Sequence, residues 1–301
     1  MNVSTAYLAV VLIWSTTPLG IVWSSESVHP TLAVLMRMLI ALIIGSLLLK
    51  AYNVKLPWHK NAIKLYCFSA LGIFGGMLFS YYAARYISSG LMSLIFGLSP
   101  ILSGVMAQHI INEPKFCLTK KVALIIAIIG LSTVCLDNIM LDEKGYIGIA
   151  LILCAVFFFS LSSVLVKSIQ ISIHPMATTV GALMFCTPLF LITWLMFDGT
   201  LDHHQWQLRS ILSILYLGVF GSLIGFIAYF YILQKLTAST VALITMITPL
   251  LAMSLGAILN NEHFTVKLII GAFFVVVGLS GFQWSTKVTA TLNKRLNISA
   301  K

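Results

Sequence analysis

The chain reads as long apolar runs cut by short polar breaks. Ten runs approach or exceed 20 residues: 4–23, 31–50, 62–84, 88–111, 118–136, 145–166, 175–197, 209–233, 238–259 and 266–284. At ~1.5 Å per residue, a helix of that length crosses the hydrocarbon core of a bilayer. The breaks are polar, as in KAYNVKLPWHKN (50–61), LDNIMLDEKG (136–145) and DGTLDHHQWQ (198–207). No run alternates apolar and polar residues with period two, and in lipid every backbone group must be bonded internally, which leaves helices. The pattern predicts an all-α integral membrane protein of ten transmembrane helices with the lipid bilayer as its solvent. The opening MNVSTAYLAVVLIWS has no basic n-region and no small-x-small cleavage site, so it is expected to stay as the first span.

Composition agrees. Of 301 residues 59% are hydrophobic and 9% charged, with mean hydropathy +1.02, whereas soluble domains carry about 25% charged residues. The net charge of +10 does not point to nucleic acid, because the basic residues are scattered between apolar runs. Their distribution sets an orientation instead. With a cytoplasmic N-terminus, the inner side carries Lys50, Lys55, Lys60, Lys64, Lys115, Lys120, Lys121, Lys167, Lys235, Lys287, Lys294, Arg295 and Lys301. The outer side carries Arg85, Lys144, Arg209 and Lys267. Both termini are therefore expected in the cytoplasm, and the chain fits a multi-pass protein of a bacterial inner (plasma) membrane. Five cysteines at 67, 117, 135, 154 and 186 form no spaced framework, so no disulfide, metal or other cofactor is implied.

The polar punctuation repeats. At an offset of 149, Gly72 meets Gly221, Gly76 meets Gly225, Tyr82 meets Tyr231, Pro100 meets Pro249, and Asn112-Glu113 meets Asn261-Glu262. At 145, Ser27-Val-His-Pro30 meets Ser172-Ile-His-Pro175, and at 148, Gly130-Leu-Ser132 meets Gly278-Leu-Ser280. The chain is five spans repeated: residues 1–140, then 141–286, then a basic cytoplasmic tail at 287–301. Five is odd, so the second copy must lie upside down. Inverted repeats are a signature of secondary transporters, whose substrate site lies near the bilayer midplane between the halves. Pro100 and Pro249 stand about 12 residues into spans 4 and 9, near mid-membrane. Proline frees a backbone carbonyl, and at that depth such a group is tolerated where it faces protein or a wet cavity. A hinge or cavity wall is the functional reading of both, and a static packing kink is the alternative.

Trp14-Ser15, Pro30 with Arg37, and the Ser99-Pro100…Glu113 and Thr248-Pro249…Glu262 blocks together resemble the EamA type of the drug/metabolite transporter superfamily, over essentially the whole chain. The resemblance implies two inverted five-helix repeats around a central cavity. Spans 1–4 and 6–9 would line it, with spans 5 and 10 peripheral. Members export amino acids, other metabolites, drugs or nucleotide sugars. The chain departs from the pattern where Ala182 stands in place of a second Arg37, and in the Trp14-Ser15 pair itself.

Arg37 is the one basic residue well inside a span, about 10 Å below the outer end of span 2. A guanidinium pairs bidentately with a carboxylate, which makes Arg37 a candidate anchor for an anionic group. Snorkelling or a clamp on helix carbonyls is the alternative. Trp14, Ser15, Tyr82, Phe96, Ser99, Tyr231 and Thr248 are the other candidate substrate-binding residues, with Tyr81, Phe159 and Tyr229 as further aromatic candidates. Glu113 and Glu262 end spans 4 and 9 on opposite faces and read as helix-end or gate residues. No Asp or Glu lies deep in a span, so carboxylate-based proton coupling is poorly supported; a histidine such as His109 could serve instead, with a membrane-edge polar residue as its alternative reading. The small-xxx-small pairs at Gly72/Gly76 and Gly221/Gly225 read as helix packing, with a homodimer contact or room for substrate as alternatives. The expected function is export of small amphipathic metabolites, amino acids or relatives, by alternating access. A channel-like facilitator is the runner-up. An embedded enzyme is disfavoured because no nucleophile–base or His/Asp/Glu cluster is present.

Overall fold

The computed structural model describes residues 2–141, 144–169, 171–236 and 244–299, all-helical with no strand among them. The first half contains α1 (Val3–Ser24), α2 (Pro30–Ala51), α3 (Lys60–Ala83), α4 (Ser89–Phe96), α5 (Ser99–Ile110) and α6 (Leu118–Leu141). The second contains α7 (Gly145–Ser168), α8 (Pro175–Phe197), α9 (Leu208–Tyr216), a π-helical stretch Leu217–Ile224, α10 (Gly225–Lys235), α11 (Ile244–Asn260) and α12 (Val266–Ser299). α4 with α5 forms the fourth span, and α9 through α10 forms the eighth. Eight segments are long and apolar enough to cross a membrane, and shorter apolar stretches at Ile247–Asn260 and Val266–Phe282 supply the other two. Residues 238–243 of the expected ninth span lie outside the described residues. α12 runs past the expected end of span 10 at 284, through most of the segment expected as a tail.

Local chemistry explains the repeated punctuation. The His-Pro pairs start helices: Pro30 and Pro175 occupy the first turn of α2 and α8, where a missing N–H costs nothing. The Asn-Glu pairs end them. Asn112 and Asn261 adopt φ of 54° and 50°, a left-handed conformation that asparagine tolerates. The chain then folds back, so that Glu113 N–H donates to the Ala107 carbonyl and Glu262 N–H to that of Gly256, both at 3.1 Å.

The packing map keeps its form when each span is exchanged for its counterpart. α3 lies on α7, and the eighth span lies on α1. α3 also meets α8, as the eighth span meets α2; α4 and α5 meet α7, as α11 meets α1. α2 with α8, α6 with α12, and α4 with α11 are pairs of counterparts. Running direction inverts between the halves. Trp23 near the end of α1 bonds Asn260 at the end of α11, while Gly148 near the start of α7 packs on Tyr86 and Ile87 just beyond α3. The first helix of one half thus ends where the first helix of the other begins. α6 and α12 close on each other through small residues: a Cβ on Gly130 would lie 2.6 Å from the Gly271 carbonyl, and one on Gly278 2.6 Å from the Ala127 nitrogen. Symmetry is broken in one place: α1 also packs on α4, and no contact of like extent joins α7 to α11 among the described residues.

Candidate functional site

A cavity opens between the halves. The first half supplies Trp14, Thr17, Pro18 and Ile21 from α1, Arg37 from α2, Met77 and Ser80 from α3, and Met92, Ser93 and Phe96 from α4, with Ser99 at the start of α5. The second supplies Phe159 of α7, Gly221 and Phe226 of the eighth span, and Thr248 of α11. About 720 Å³ of non-atom space lies between these walls and in the open mouth. Among the described residues α6, α8 and α12 contribute no wall. The peripheral place of spans 5 and 10 is as the resemblance implied, but the seventh span is displaced from the wall. Its Phe190 and Cys186 are instead fully buried in the helix core.

Arg37 is wholly buried. Its Nε–H donates to Ser222 Oγ at 2.7 Å, while Nη1 and Nη2 have no partner among the described residues. Buried polar groups are ordinarily bonded, and both terminal nitrogens lie out of reach of water in this conformation, so the guanidinium carries an unmet hydrogen-bonding demand just behind the cavity wall. The π-helical stretch of the eighth span makes the arrangement. Such wide turns recur at functional sites, and this one presents Ser222 to Nε with Gly221 beside it. A Cβ on Gly221 would lie 3.0 Å from Arg37 Nη2. Its repeat counterpart does different work: a Cβ on Gly72 would lie 2.5 Å from the Ser162 side chain, so there the glycine admits α7.

Aromatic rings close one side. Trp14 stacks obliquely on Tyr229, centroids 5.0 Å apart, and meets Phe159 edge-on at 5.8 Å, while Phe96 meets Phe159 at 6.0 Å. Beyond Phe159 and Phe226 lies a smaller pocket with Ser69, Ser162 and Ser163 in its wall. Among the described residues no group of three His, Cys, Asp or Glu could hold a metal.

The structure brings five of the expected binding residues to one wall: Trp14, Arg37, Phe96, Ser99 and Thr248. Three others lie elsewhere. Ser15 is buried and donates to the Val11 carbonyl of its own helix at 2.6 Å, because one residue along a helix turns the side chain by about 100° away from Trp14. Tyr82 meets Phe197 at 6.5 Å near the end of α3. Tyr231, its repeat counterpart, lies a turn beyond the cavity on α10, partly buried against the core. Tyr81 is buried outside the wall. Pro100 and Pro249 do not line the wall either, but the residues before them do. Their local backbones differ: the chain breaks at Gly97–Leu98 before Pro100, whereas Pro249 sits within continuous α11. Ser222 is the residue that sequence reasoning passed over. Its signal was a lone hydroxyl beside a repeat glycine in an apolar run.

The two glutamates also part company. Glu262 Oε1 accepts from Ser89 N–H at 3.0 Å and Ser89 Oγ–H at 2.7 Å, and Oε2 accepts from Gly90 N–H at 3.2 Å. Asn260 donates to the same carboxylate at 3.2 Å and accepts from Trp23 Nε1–H at 2.9 Å. Arg209 pairs with Glu26 next to Trp23, with bonds of 2.8 and 2.6 Å. This end of the bundle is thus tied across the halves. Glu113 is exposed and its carboxylate has no partner among the described residues, and His109 is exposed on the last turn of α5.

Comparison with known proteins bears on this site. The model of the EamA-like transporter family matches residues 3–136 and again 146–282. The uncharacterized transporter YoaV of Bacillus subtilis is 23% identical over 281 residues, covering 93% of this chain and 96% of that one. Protein PagO of Salmonella typhimurium is 27% identical over 294 residues, covering 92% and 93%. A solved crystal structure superposes with a TM-score of 0.65 at 17% identity, covering 93% of this chain and 96% of the other, a likeness of fold.

Proposed function

This chain belongs to the EamA-like transporter family, and from that premise we propose that it is a secondary transporter exporting small amphipathic metabolites, amino acids or relatives, by alternating access. The observation that carries the reading is the cavity at the seam of two inverted halves, with the buried Arg37 in its wall. Two halves related by inversion have two nearly equivalent packings, and rocking between them would expose the seam to each side in turn. The distribution of lysine and arginine supports an orientation with both termini in the cytoplasm, which we read as that of a cell inner membrane. The end tied by Glu262 then faces outward, and its cross-half contacts support reading this conformation as closed to the outside. The chain is read as a carrier and not as an enzyme.

One observation favours a channel-like facilitator: among the described residues no carboxylate stands in the cavity wall to couple transport to protons. Counterflow in proteoliposomes separates the two readings. Vesicles preloaded with unlabelled phenylalanine or 3-phenylpropionate take up the labelled compound faster than empty vesicles if the protein is a carrier. Equal uptake by loaded and empty vesicles marks a pore and overturns alternating access.

A further inference from the structure

We propose that the cavity is a site for organic monocarboxylates with an apolar or aromatic body, selecting them over amines, zwitterions and dianions. The inference rests on the transporter reading and narrows its cargo to the monocarboxylates among small amphipathic metabolites, setting free amino acids aside; it is argued from the state of Arg37. A guanidinium has five N–H donors in a planar fork. Ser222 takes the one on Nε, so the edge between Nε and a terminal nitrogen is spent. The four N–H groups on Nη1 and Nη2 are unpaired, and they form the edge that matches two carboxylate oxygens. Among the described residues no acidic side chain shares the wall, so the neutralising charge must come with the ligand. One cation in an apolar wall balances one negative charge. A second carboxylate would be buried without a partner, at high cost.

The rest of the wall argues against a cationic group. An ammonium would find hydroxyls of Thr17, Ser80, Ser93, Ser99 and Thr248, but no carboxylate. The indole of Trp14, the best ring to hold a cation, is already engaged by Tyr229 and Phe159. Met77, Met92, Phe96 and Phe226 offer a deformable apolar bed for the body of the ligand. The π-helical stretch sets the specificity. Ser222 fixes the plane of the fork, and Gly221 lets the eighth span lie against Nη2 where a larger residue would push on the guanidinium.

The test is a binding series on the full chain in detergent, by thermal shift and calorimetry, with probes of one skeleton: 3-phenylpropionate, phenylalanine, 2-phenylethylamine and benzylmalonate. 3-Phenylpropionate is expected to bind at least about tenfold tighter than phenylalanine or benzylmalonate, with no binding by the amine. Arg37→Gln abolishes binding, and Arg37→Lys, which keeps the charge but not the fork, loses most of it. Ser222→Ala weakens 3-phenylpropionate several-fold without changing the order of the probes. Gel filtration and an unfolding trace of each variant keep a folding defect from passing as a binding defect, with the Lys variant as the second reading. Equal binding of the amine or the zwitterion, carboxylate binding that survives in Arg37→Gln, or no carboxylate binding by the wild type overturns the assignment. If the carboxylate binds as described but shows no counterflow, the carrier mechanism fails while the ligand class stands.

Discussion

Arg37 is an expensive residue to keep. Placing an arginine at membrane depth costs about 2.5–3.5 kcal/mol on insertion scales, and among the described residues only one of its three nitrogens has a partner. Unsatisfied buried donors cost roughly 1–3 kcal/mol each. Arg37→Met should therefore raise the thermal unfolding temperature of the ligand-free protein while removing stabilisation by 3-phenylpropionate. A fall in unfolding temperature would show that the guanidinium is structurally satisfied after all. The glycine pair makes a second residue-scale test. Gly72→Ala forces a methyl against Ser162 and should destabilise by roughly 1–3 kcal/mol with probe affinity unchanged. Gly221→Ala crowds Nη2 and should lower probe affinity several-fold with a smaller stability change. Parallel unfolding and calorimetry on the two variants separate these effects. The sequence pairs these glycines at one offset, and only the neighbours in space distinguish them.

At the scale of elements, the polar ends of helices carry the asymmetry of the observed state. Glu262 places a carboxylate on the first N–H groups of α4, where the helix dipole favours negative charge. Hydrogen bonds to a charged group are worth roughly 1.5–3 kcal/mol each, so losing this set should shift the population toward opening at that end. In a cysteine-free background, Glu262→Ala is expected to speed labelling of Ser93→Cys by an impermeant maleimide about tenfold from outside. Glu113→Ala, whose carboxylate is unpartnered here, should not speed it. Unchanged labelling in Glu262→Ala would mean that the contact does not hold the end shut. Spans 4 and 9 share a proline register, yet one is broken and the other continuous. Proline removes one bond wherever it sits, but whether the helix parts there depends on the packing around it.

For the whole molecule, the twofold exchange of packing partners predicts how it moves. α6 and α12, joined by a close glycine seam away from the cavity, should move little relative to each other as the halves rock. A crosslink that locks α6 to α12 away from the close glycine contacts should leave counterflow intact. A crosslink between Ser89→Cys and Glu262→Cys should stop it. If the first crosslink also arrests transport, the peripheral pair belongs to the moving part.

Much of this molecule is legible in one dimension. Lipid as solvent demands apolar helices of fixed length, so composition and run length alone determine an all-helical membrane protein. Duplication leaves its offset in glycines, prolines and Asn-Glu ends, and an odd number of spans dictates inversion. A deep arginine declares itself because charge is rare at that depth. Other features are properties of neighbours, which no periodicity records. Tertiary structure alone decided that Ser15 bonds its own helix while Trp14 faces the cavity, and that Tyr82 and Tyr231 recur outside it. It also chose Ser222 to hold Arg37 Nε and tied Glu262 to α4 while leaving Glu113 exposed. A run apolar on all sides hides which face is which, and the answer comes only when helices from opposite halves meet.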